Sequence, residues 1–248
     1  MSDFLYEIVA DAIREKIVTG EWEPGRSLPT YDELEERYNV SRVVVRKVMD
    51  LLDAEGLITR TARSGTYVRR YSPVVRRSGL HYQASPGAPF AEEALAAEYI
   101  PSYDHSTYKD HATEDIARRL KIDVGDPVMR TDYVSMVNDK PVMLVYSHEP
   151  LAITGGTPIQ YPEDGLFMGQ GLIVRFGEIG LRPTVVLERT RSRMPRPSEV
   201  QGMRLEPGTP VVIKERTTQR NDQVLEVADL IFDASFFEFE DLFPVPPA

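Results

Sequence analysis

Two helices begin in the stretch LPTYDELEERYNVSRVVVRKVMD, which covers residues 28–50. Thr30 and Glu33 have the spacing of a capping box, in which the threonine hydroxyl accepts a bond from the third backbone amide and the glutamate reaches back. Ser41 is a favourable N-cap residue for the second helix, and Asn39 suits a left-handed turn residue between the two helices. The stretch therefore predicts a helix-turn-helix.

The flanking residues predict a winged form of this motif. Apolar side chains recur at helical spacing over residues 4–18, which indicates an amphipathic first helix that Gly20 is placed to end. After the motif, residues 57–60 and 63–68 indicate a short glycine-containing ribbon. Trp22, the sole tryptophan, is expected to fill the core of this small domain. Helix, turn, basic helix and β-wing in this order predict a DNA-binding module.

The second helix of the motif has one apolar face and one basic face. We expect Val45, Val48, Met49 and Leu52 to be buried. On the other face an arginine can bond guanine O6 and N7 in the major groove, and a valine methyl can pack against a thymine methyl. The residues expected to contact DNA are Thr30, Tyr31, Ser41, Arg42, Val43, Val44, Arg46, Lys47, Arg63, Ser64, Gly65 and Thr66. The alternative interpretation is a solvated basic face on an ordinary helix.

Charge and composition exclude several other classes of protein. Residues 1–77 are neutral overall, so the whole net charge of −10 lies in the remainder, which is expected to face away from DNA. The basic residues in and after the module are Arg42, Arg46, Lys47, Arg60, Arg63, Arg69, Arg70, Arg76 and Arg77. Zero cysteines exclude disulfides and fit a cytoplasmic protein. Because the histidines lack metal-ligand spacing and the chain has neither a long apolar run nor a signal pattern, we expect no metal, no cofactor and no membrane segment.

The rest of the chain contains an internal repeat. Residues 71–90 lack hydrophobic periodicity and contain several glycines and prolines, which is typical of a linker. Beyond them, the residues Gly-Asp-Pro-Val at 125–128 and Asn-Asp at 138–139 recur as Gly-Thr-Pro-Val at 208–211 and Asn-Asp at 221–222. Each copy predicts a short helix, a strand, an Asn-Asp turn and a second strand. With a further helix over 165–179, residues 91–248 predict an α+β domain, an antiparallel sheet with helices to one side.

Residues 4–69 resemble the GntR family of bacterial transcription regulators. The positions that match the family's signature are Gly20, Pro24, Gly25, Leu28, Pro29, Leu34, Val40, Ser41, Arg42, Val45, Arg46, Leu52, Glu55, Gly56, Leu57, Ile58, Gly65, Thr66, Tyr67 and Val68. Tyr31 and Asp32 depart from it, since they stand where the family has a glutamate and a base-reading arginine. Val44 replaces a threonine and has no group to bond a phosphate. The resemblance implies GntR-type DNA binding and carries over Arg42, Arg46 and the wing glycine Gly65.

The second domain resembles the UTRA effector-binding domain, which marks the HutC-type branch of these regulators and has a chorismate-lyase-like fold. The pattern that carries this resemblance is met by Gly208, Pro210, Val211 and Glu226. Residues 147–158 also resemble regulators of actinomycetes. Sugar-phosphate-sensing members carry an Arg-x-Arg pair where this chain has Tyr133 and Ser135, so the resemblance disfavours a phosphosugar. The candidate pocket residues are Arg130, Tyr133, Ser135, Tyr146, Glu188 and Glu226, and the alternative for each is a sheet-surface or interface side chain.

Together these features predict a sequence-specific transcriptional regulator, a dimeric repressor released from a palindromic operator by a small-molecule effector. The predicted organisation is a winged helix-turn-helix at 1–70, a linker at 71–90 and a UTRA domain at 91–248. We expect no enzyme, because nothing resembles a catalytic base beside a nucleophile. Two alternatives stay open, a repressor whose second domain only dimerises, and a lyase-like enzyme.

Overall fold

The structure is a computed structural model of the chain and describes residues 2–61, 65–69, 73–82 and 89–243. The chain divides into two compact units, Met1–Ser72 and Pro73–Ala248. No helix within the described ranges is both long and apolar enough to cross a membrane.

The first unit is a winged helix-turn-helix, as predicted. Its elements are α1 (Ser2–Val18), α2 (Tyr31–Tyr38), α3 (Arg42–Ala54), β1 (Ile58–Thr61) and β2 (Gly65–Val68). The two strands pair antiparallel as the wing. Trp22 is 2% exposed and packs with the buried face of α3, which confirms both core predictions. Leu5 and Ile8, which share the apolar stripe of α1, stay 40% and 59% exposed.

The turn between α2 and α3 follows the sequence prediction closely. Thr30 Oγ1 accepts a bond from Glu33 N at 3.3 Å, and Thr30 N donates to the Glu33 carboxylate at 2.7 Å, so the capping box is complete. Asn39 is left-handed with a φ of 51°. Ser41 occupies the N-cap of α3 in extended conformation, but its side chain makes no capping hydrogen bond. The capping box therefore fixes the start of α2, whereas Ser41 occupies the N-cap of α3 without the expected side-chain bond.

The second unit is built around six antiparallel strands. In chain order its elements are β3 (Val74–Arg76), α4 (Ser78–His81), α5 (Pro89–Ala96), β4 (Pro101–His111), α6 (Glu114–Leu120), β5 (Pro127–Val137), β6 (Lys140–Pro150), α7 (Leu151–Thr154), α8 (Leu172–Glu178), β7 (Val185–Arg193), α9 (Pro197–Met203), β8 (Val211–Arg220), β9 (Gln223–Asp233) and β10 (Phe237–Phe239). The sheet has the strand order β4-β5-β6-β9-β8-β7. The predicted repeat is thus confirmed, since α6-β5-β6 and α9-β8-β9 form equivalent halves that meet where β6 pairs with β9.

The prediction of helices on one side of the sheet is wrong, because helices cover both faces. On one face α6 packs against Val128 and Val227, and α9 packs against Leu144. On the other face α5 packs near Val145 and Leu230. The central strands β6 and β9 are buried at almost every position, so each strand has two apolar faces and both must be covered.

Part of the range predicted as a linker belongs to the second unit. β3 pairs in parallel with β10, close to the end of the described chain, and α5 begins at Pro89. This pairing joins residues far apart in sequence, so the local pattern of 71–90 does not reveal it. Residues 71, 72 and 83–88 of that range lie outside the described residues. The helix expected over 165–179 is also shorter, with one 3-10 turn at Gly165–Phe167 and then α8.

Candidate functional site

The exposed face of α3 carries the side chains expected to read DNA. Arg42, Val43, Arg46 and Lys47 are exposed, and the exposed fraction of Val43 is 68%. Val44 was expected among the DNA contacts but is 9% exposed and packs into the core. It lies beside Val45 on the inward face of the helix. Arginine and an apolar methyl group are side chains that can contact base edges in the major groove, so the exposed residues of this face suit base reading.

Arg42 is held by residues of α2. Its Nη1 lies 2.5 Å from Asp32 Oδ1 and 3.5 Å from Glu35 Oε1. Its guanidinium lies 5.6 Å from the centre of the Tyr31 ring, within reach of a cation–π interaction. Tyr31 and Asp32 are the two neighbours that depart from the family signature. Both departures therefore contact the arginine that the signature keeps.

The remaining expected DNA contacts lie in different structural settings. The Thr30 hydroxyl is used in the capping box. Gly65 opens β2 with a φ of +102°, and a Cβ there would meet nothing within 4 Å, so backbone conformation alone favours glycine. Thr66 is half-buried beside it. Arg63 and Ser64, also expected to contact DNA, lie outside the described residues.

A cavity of about 480 Å³ lies on the sheet face that α5 and α8 cover. Both halves of the repeat line it. The polar lining residues are Arg76, Tyr82, Ser102, Tyr103, Tyr133, Ser135, Ser147, Glu149, Glu163, Gln170, Arg175 and Arg216. Phe90, Leu172 and Leu230 contribute apolar wall. Within the described ranges no group of acidic residues and histidines is arranged to hold a metal ion.

Three arginines line the cavity; Arg175 and Arg216 are bonded to buried carboxylates, and Arg76 is bonded to the half-buried Glu93. Arg175 makes two bonds to Glu149, at 2.8 and 3.1 Å, and a third to the Ile159 carbonyl at 2.7 Å. Arg216 Nη2 lies 2.7 Å from Glu226 Oε1.

Glu226 is fully buried, and this carboxylate also accepts bonds from Ser147 at 3.0 Å and Thr218 at 2.9 Å. Arg76 Nη1 lies 3.2 Å from Glu93. Burial alone would lower the pKa of Arg216, but the facing Glu226 outweighs it and raises that pKa, so the guanidinium is charged.

A fourth ion pair closes the side of the cavity near Tyr82. Lys214 Nζ lies 2.9 Å from Glu188 Oε2, and the Tyr82 hydroxyl donates to the other oxygen of the same carboxylate. Burial raises the pKa of Glu188, but the hydrogen bonds from Tyr82 and Lys214 outweigh it and lower that pKa to about 2. The group is a stable anion with its charge already matched.

Glu163 differs from these carboxylates in its partners. It is 7% exposed and accepts hydrogen bonds from Tyr133 Oη at 2.8 Å, from Tyr103 Oη at 3.2 Å and from Gly169 N at 3.3 Å. All three donors are neutral. Burial and the facing Glu163 both raise the pKa of Tyr133, so its hydroxyl keeps the proton that it donates.

The six pocket candidates from the sequence fall into three groups. Tyr133 and Ser135 line the cavity. Glu188 and Glu226 bond to residues that line it. Arg130 and Tyr146 point to the opposite face of the sheet, where the Arg130 guanidinium bonds Asp132 at 2.7 Å and lies 5.6 Å from the Tyr146 ring. Side chains alternate between faces along a strand, and Arg130 stands an odd number of residues from Tyr133.

Several cavity residues escaped the sequence analysis. Arg76 was grouped with the basic residues of the DNA-binding module, but it is 5% exposed in the second unit because β3 pairs with β10. Arg175 is 4% exposed on α8, and Glu163 precedes that helix in a segment without regular periodicity. The sequence did offer one signal for Arg216, which lies on a strand of the repeat two positions from Thr218, the residue that pairs with Glu226.

Comparisons with known proteins match both units. The family model described as bacterial regulatory proteins of the gntR family matches residues 5–68, and the UTRA domain model matches residues 93–238. The HTH-type transcriptional regulator SCO4628 of Streptomyces coelicolor is 27% identical over 249 residues, which cover 96% of this chain and 92% of that protein.

Two further similarities point the same way. The mannosyl-D-glycerate transport/metabolism system repressor MngR of Escherichia coli K12 is 31% identical over 153 residues, and this match spans 60% of each protein. A crystal structure of a protein assigned as a GntR-family transcriptional regulator is 34% identical, with a TM-score of 0.70 and 98% of each chain covered. The similarity thus extends over both units.

Proposed function

This chain belongs to the GntR family of bacterial regulators and carries a UTRA domain, and from that premise we propose that it is a cytoplasmic homodimeric repressor. It binds a palindromic operator and dissociates from it when a small molecule fills the cavity. Family membership makes it a DNA-binding transcriptional regulator and not an enzyme. The observation that carries the proposal is the cavity of about 480 Å³, which both halves of the repeat line with convergent polar groups.

The proposed DNA contacts centre on α3. We place Arg42, Val43, Arg46 and Lys47 in the major groove, since these are the exposed residues of its N-terminal half. One winged module reaches few base pairs, whereas a two-fold dimer places two such helices on related half-sites. The operator is therefore expected to be palindromic.

The size and chemistry of the cavity favour an effector site over a domain that only dimerises. Its volume falls in the range of small-molecule sites, roughly 300–1,000 Å³. Its walls combine apolar side chains such as Phe90 and Leu230 with buried charged groups such as Arg175 and Glu163. Burying charges is costly unless they are paired, so a dimerisation domain gains nothing from surrounding an open space with them.

Binding and release are linked thermodynamically. A ligand that favours a conformation unsuited to the operator shifts the population away from DNA. By the same linkage, the operator must weaken ligand binding by the same factor. The coupling can therefore be measured from either side.

Two experiments test the proposal. DNase footprinting should show two related half-sites protected by a dimer, and protection of one asymmetric half-site by a monomer would contradict it. A thermal-shift screen of metabolites should find ligands, and titration with and without operator should show the mutual weakening. Ser135→Phe, which narrows the cavity, should abolish ligand binding and keep operator binding. Ser192→Phe, at an exposed position of β7, should change neither.

A further inference from the structure

The charges around the cavity can be paired one by one. The cations Arg76, Arg175, Arg216 and Lys214 are each bonded to a carboxylate. The charge of each of these cations is therefore already matched by a carboxylate, although the Nε–H groups of Arg76 and Arg175 have no hydrogen-bond partner among the described residues. An acidic ligand could hydrogen-bond to these two groups, but it would find no cation without a carboxylate partner among the described residues of the cavity.

Glu163 is the carboxylate left over by this pairing. No cationic side chain of the described residues comes within 4.0 Å of it, and its three hydrogen-bond donors are neutral. Residues 83–88 and 244–248, which lie outside the described part of the second unit, contain no charged residue in the sequence. The cavity thus contains one buried carboxylate, Glu163, that makes no direct ion pair among the described residues; Arg175, which is bonded to Glu149, interacts with it only through space.

We infer that the effector carries a protonated amino group, which binds against Glu163 and forms the direct ion pair that this carboxylate lacks. The inference rests on the proposed function of the cavity as an effector site. A carboxylate offers about four acceptor positions, and three donors are already present, so one position is open to an N–H of the ligand. An ammonium–carboxylate hydrogen bond is roughly twice as strong as one between neutral groups.

The surroundings of Glu163 suit a cation in a second way. The rings of Tyr103, Tyr133 and His105 form a cluster beside it, with centroids 6.2 to 6.5 Å apart. Aromatic faces attract an ammonium group electrostatically. Phe90 and Leu172 supply apolar wall elsewhere in the cavity. The ligand class is therefore a small monocationic amine whose remaining body is apolar or uncharged.

The test compares ligands that differ only in charge, on the full-length wild-type protein. The probes are phenethylamine, 2-phenylethanol and 3-phenylpropanoate, with glucosamine and glucose as a hydrophilic pair, each at millimolar concentration in thermal-shift and calorimetric titrations. We expect at least one amine to bind about tenfold or more tightly than its uncharged partner, because the charged hydrogen bond is the stronger one. Equal binding of the alcohol, the acid or glucose would overturn the inference, as would the absence of binding by both amines.

Glu163→Gln removes the charge and keeps the shape of the side chain. It should lower the affinity for the bound amine about tenfold or more and leave the uncharged partner unchanged. Asp164→Asn, which removes a neighbouring exposed carboxylate, is the matched control and should bind the amine as wild type does. Unchanged amine affinity in Glu163→Gln would also refute the site. Because the ligand series is measured on the wild type, poor folding of that variant would not remove the test.

An operator-release measurement separates this inference from the proposed function. If an uncharged or acidic metabolite binds the cavity and releases the protein from the operator, the proposal of an effector site is supported and the inference of an amine ligand is wrong. If the amine binds through Glu163 and the affinity for the operator does not change, the inference of an amine ligand is supported and the proposed regulatory coupling is wrong.

Discussion

Replacing Asp32 by asparagine should make operator binding tighter. In the free protein Asp32 forms an ion pair with Arg42, and this pair competes with the contact between Arg42 and DNA. The two side chains form an ion pair with atoms 2.5 Å apart and are 82% and 59% exposed. Exposed pairs of this kind contribute about 0.2–1 kcal/mol. If Arg42 must leave Asp32 to reach a base, the variant gains up to about 1 kcal/mol, or roughly fivefold in Kd.

The assay is a fluorescence-anisotropy titration of labelled operator at fixed salt, arranged as a double-mutant cycle. The gain from Asp32→Asn should disappear in an Arg42→Ala background, because no arginine is then left to free. Glu36→Gln removes an exposed carboxylate from the same helix and controls for the change in net charge. Asp32→Arg, which restores the residue of the family signature, should gain more affinity and relax the preferred sequence. Weaker operator binding by Asp32→Asn would refute the reasoning and make Asp32 a direct reader, for example of cytosine N4.

Two further predictions concern one residue in each unit. Arg46→Ala should weaken binding to the operator by about 1–3 kcal/mol and binding to random DNA by less. Arg46→Lys should restore the affinity for random DNA but not that for the operator, because lysine keeps the charge and loses the bidentate geometry. Equal losses of affinity for both DNAs would show that Arg46 contacts only phosphates. Glu188 has a folded-state pKa depressed to about 2, so its contribution to stability is present above about pH 4.5 and is lost as the pH falls from there towards 2. Denaturant unfolding of wild type and Glu188→Gln should therefore differ by about 3 kcal/mol near neutral pH and converge in acid, and a constant difference across that range would contradict the assigned pairing with Lys214.

The parts of the fold that local sequence determines were the parts that could be predicted. Capping residues at Thr30 and Glu33, a left-handed residue at Asn39 and two Asn-Asp turns act over a few positions, and the structure has each of them. The repeat was equally accessible, since similar residues at Gly125 and Gly208 produce similar hairpins. Burial of the face of α3 followed from helical periodicity alone.

The cavity could not be predicted because its residues come together only through tertiary contacts. Arg76 reaches it through the pairing of β3 with β10, and Glu163 through a segment with no periodic pattern. Arg130 failed as a candidate because a one-residue offset along a strand moves a side chain to the other face. The face of the sheet to which a strand residue points cannot be assigned from the sequence when helices cover both faces, so the structure was needed to place Arg130.

The departures of this chain from its family have a common physical consequence. It lacks an arginine at Asp32, where the family reads bases beside the phosphates, and it lacks the Arg-x-Arg pair at Tyr133 and Ser135, where sugar-phosphate-sensing members bind an anion. A carboxylate in place of that arginine lowers the positive charge that the head presents to DNA, so the head should bind its operator less tightly than a relative with the arginine. A weaker operator complex also requires a smaller coupling free energy for release of the protein from DNA. A ligand with a coupling free energy of about 1–3 kcal/mol, ordinary for allosteric proteins, then suffices to switch it. One ionic contact formed at Glu163 in one conformation and not in the other is an interaction of that size.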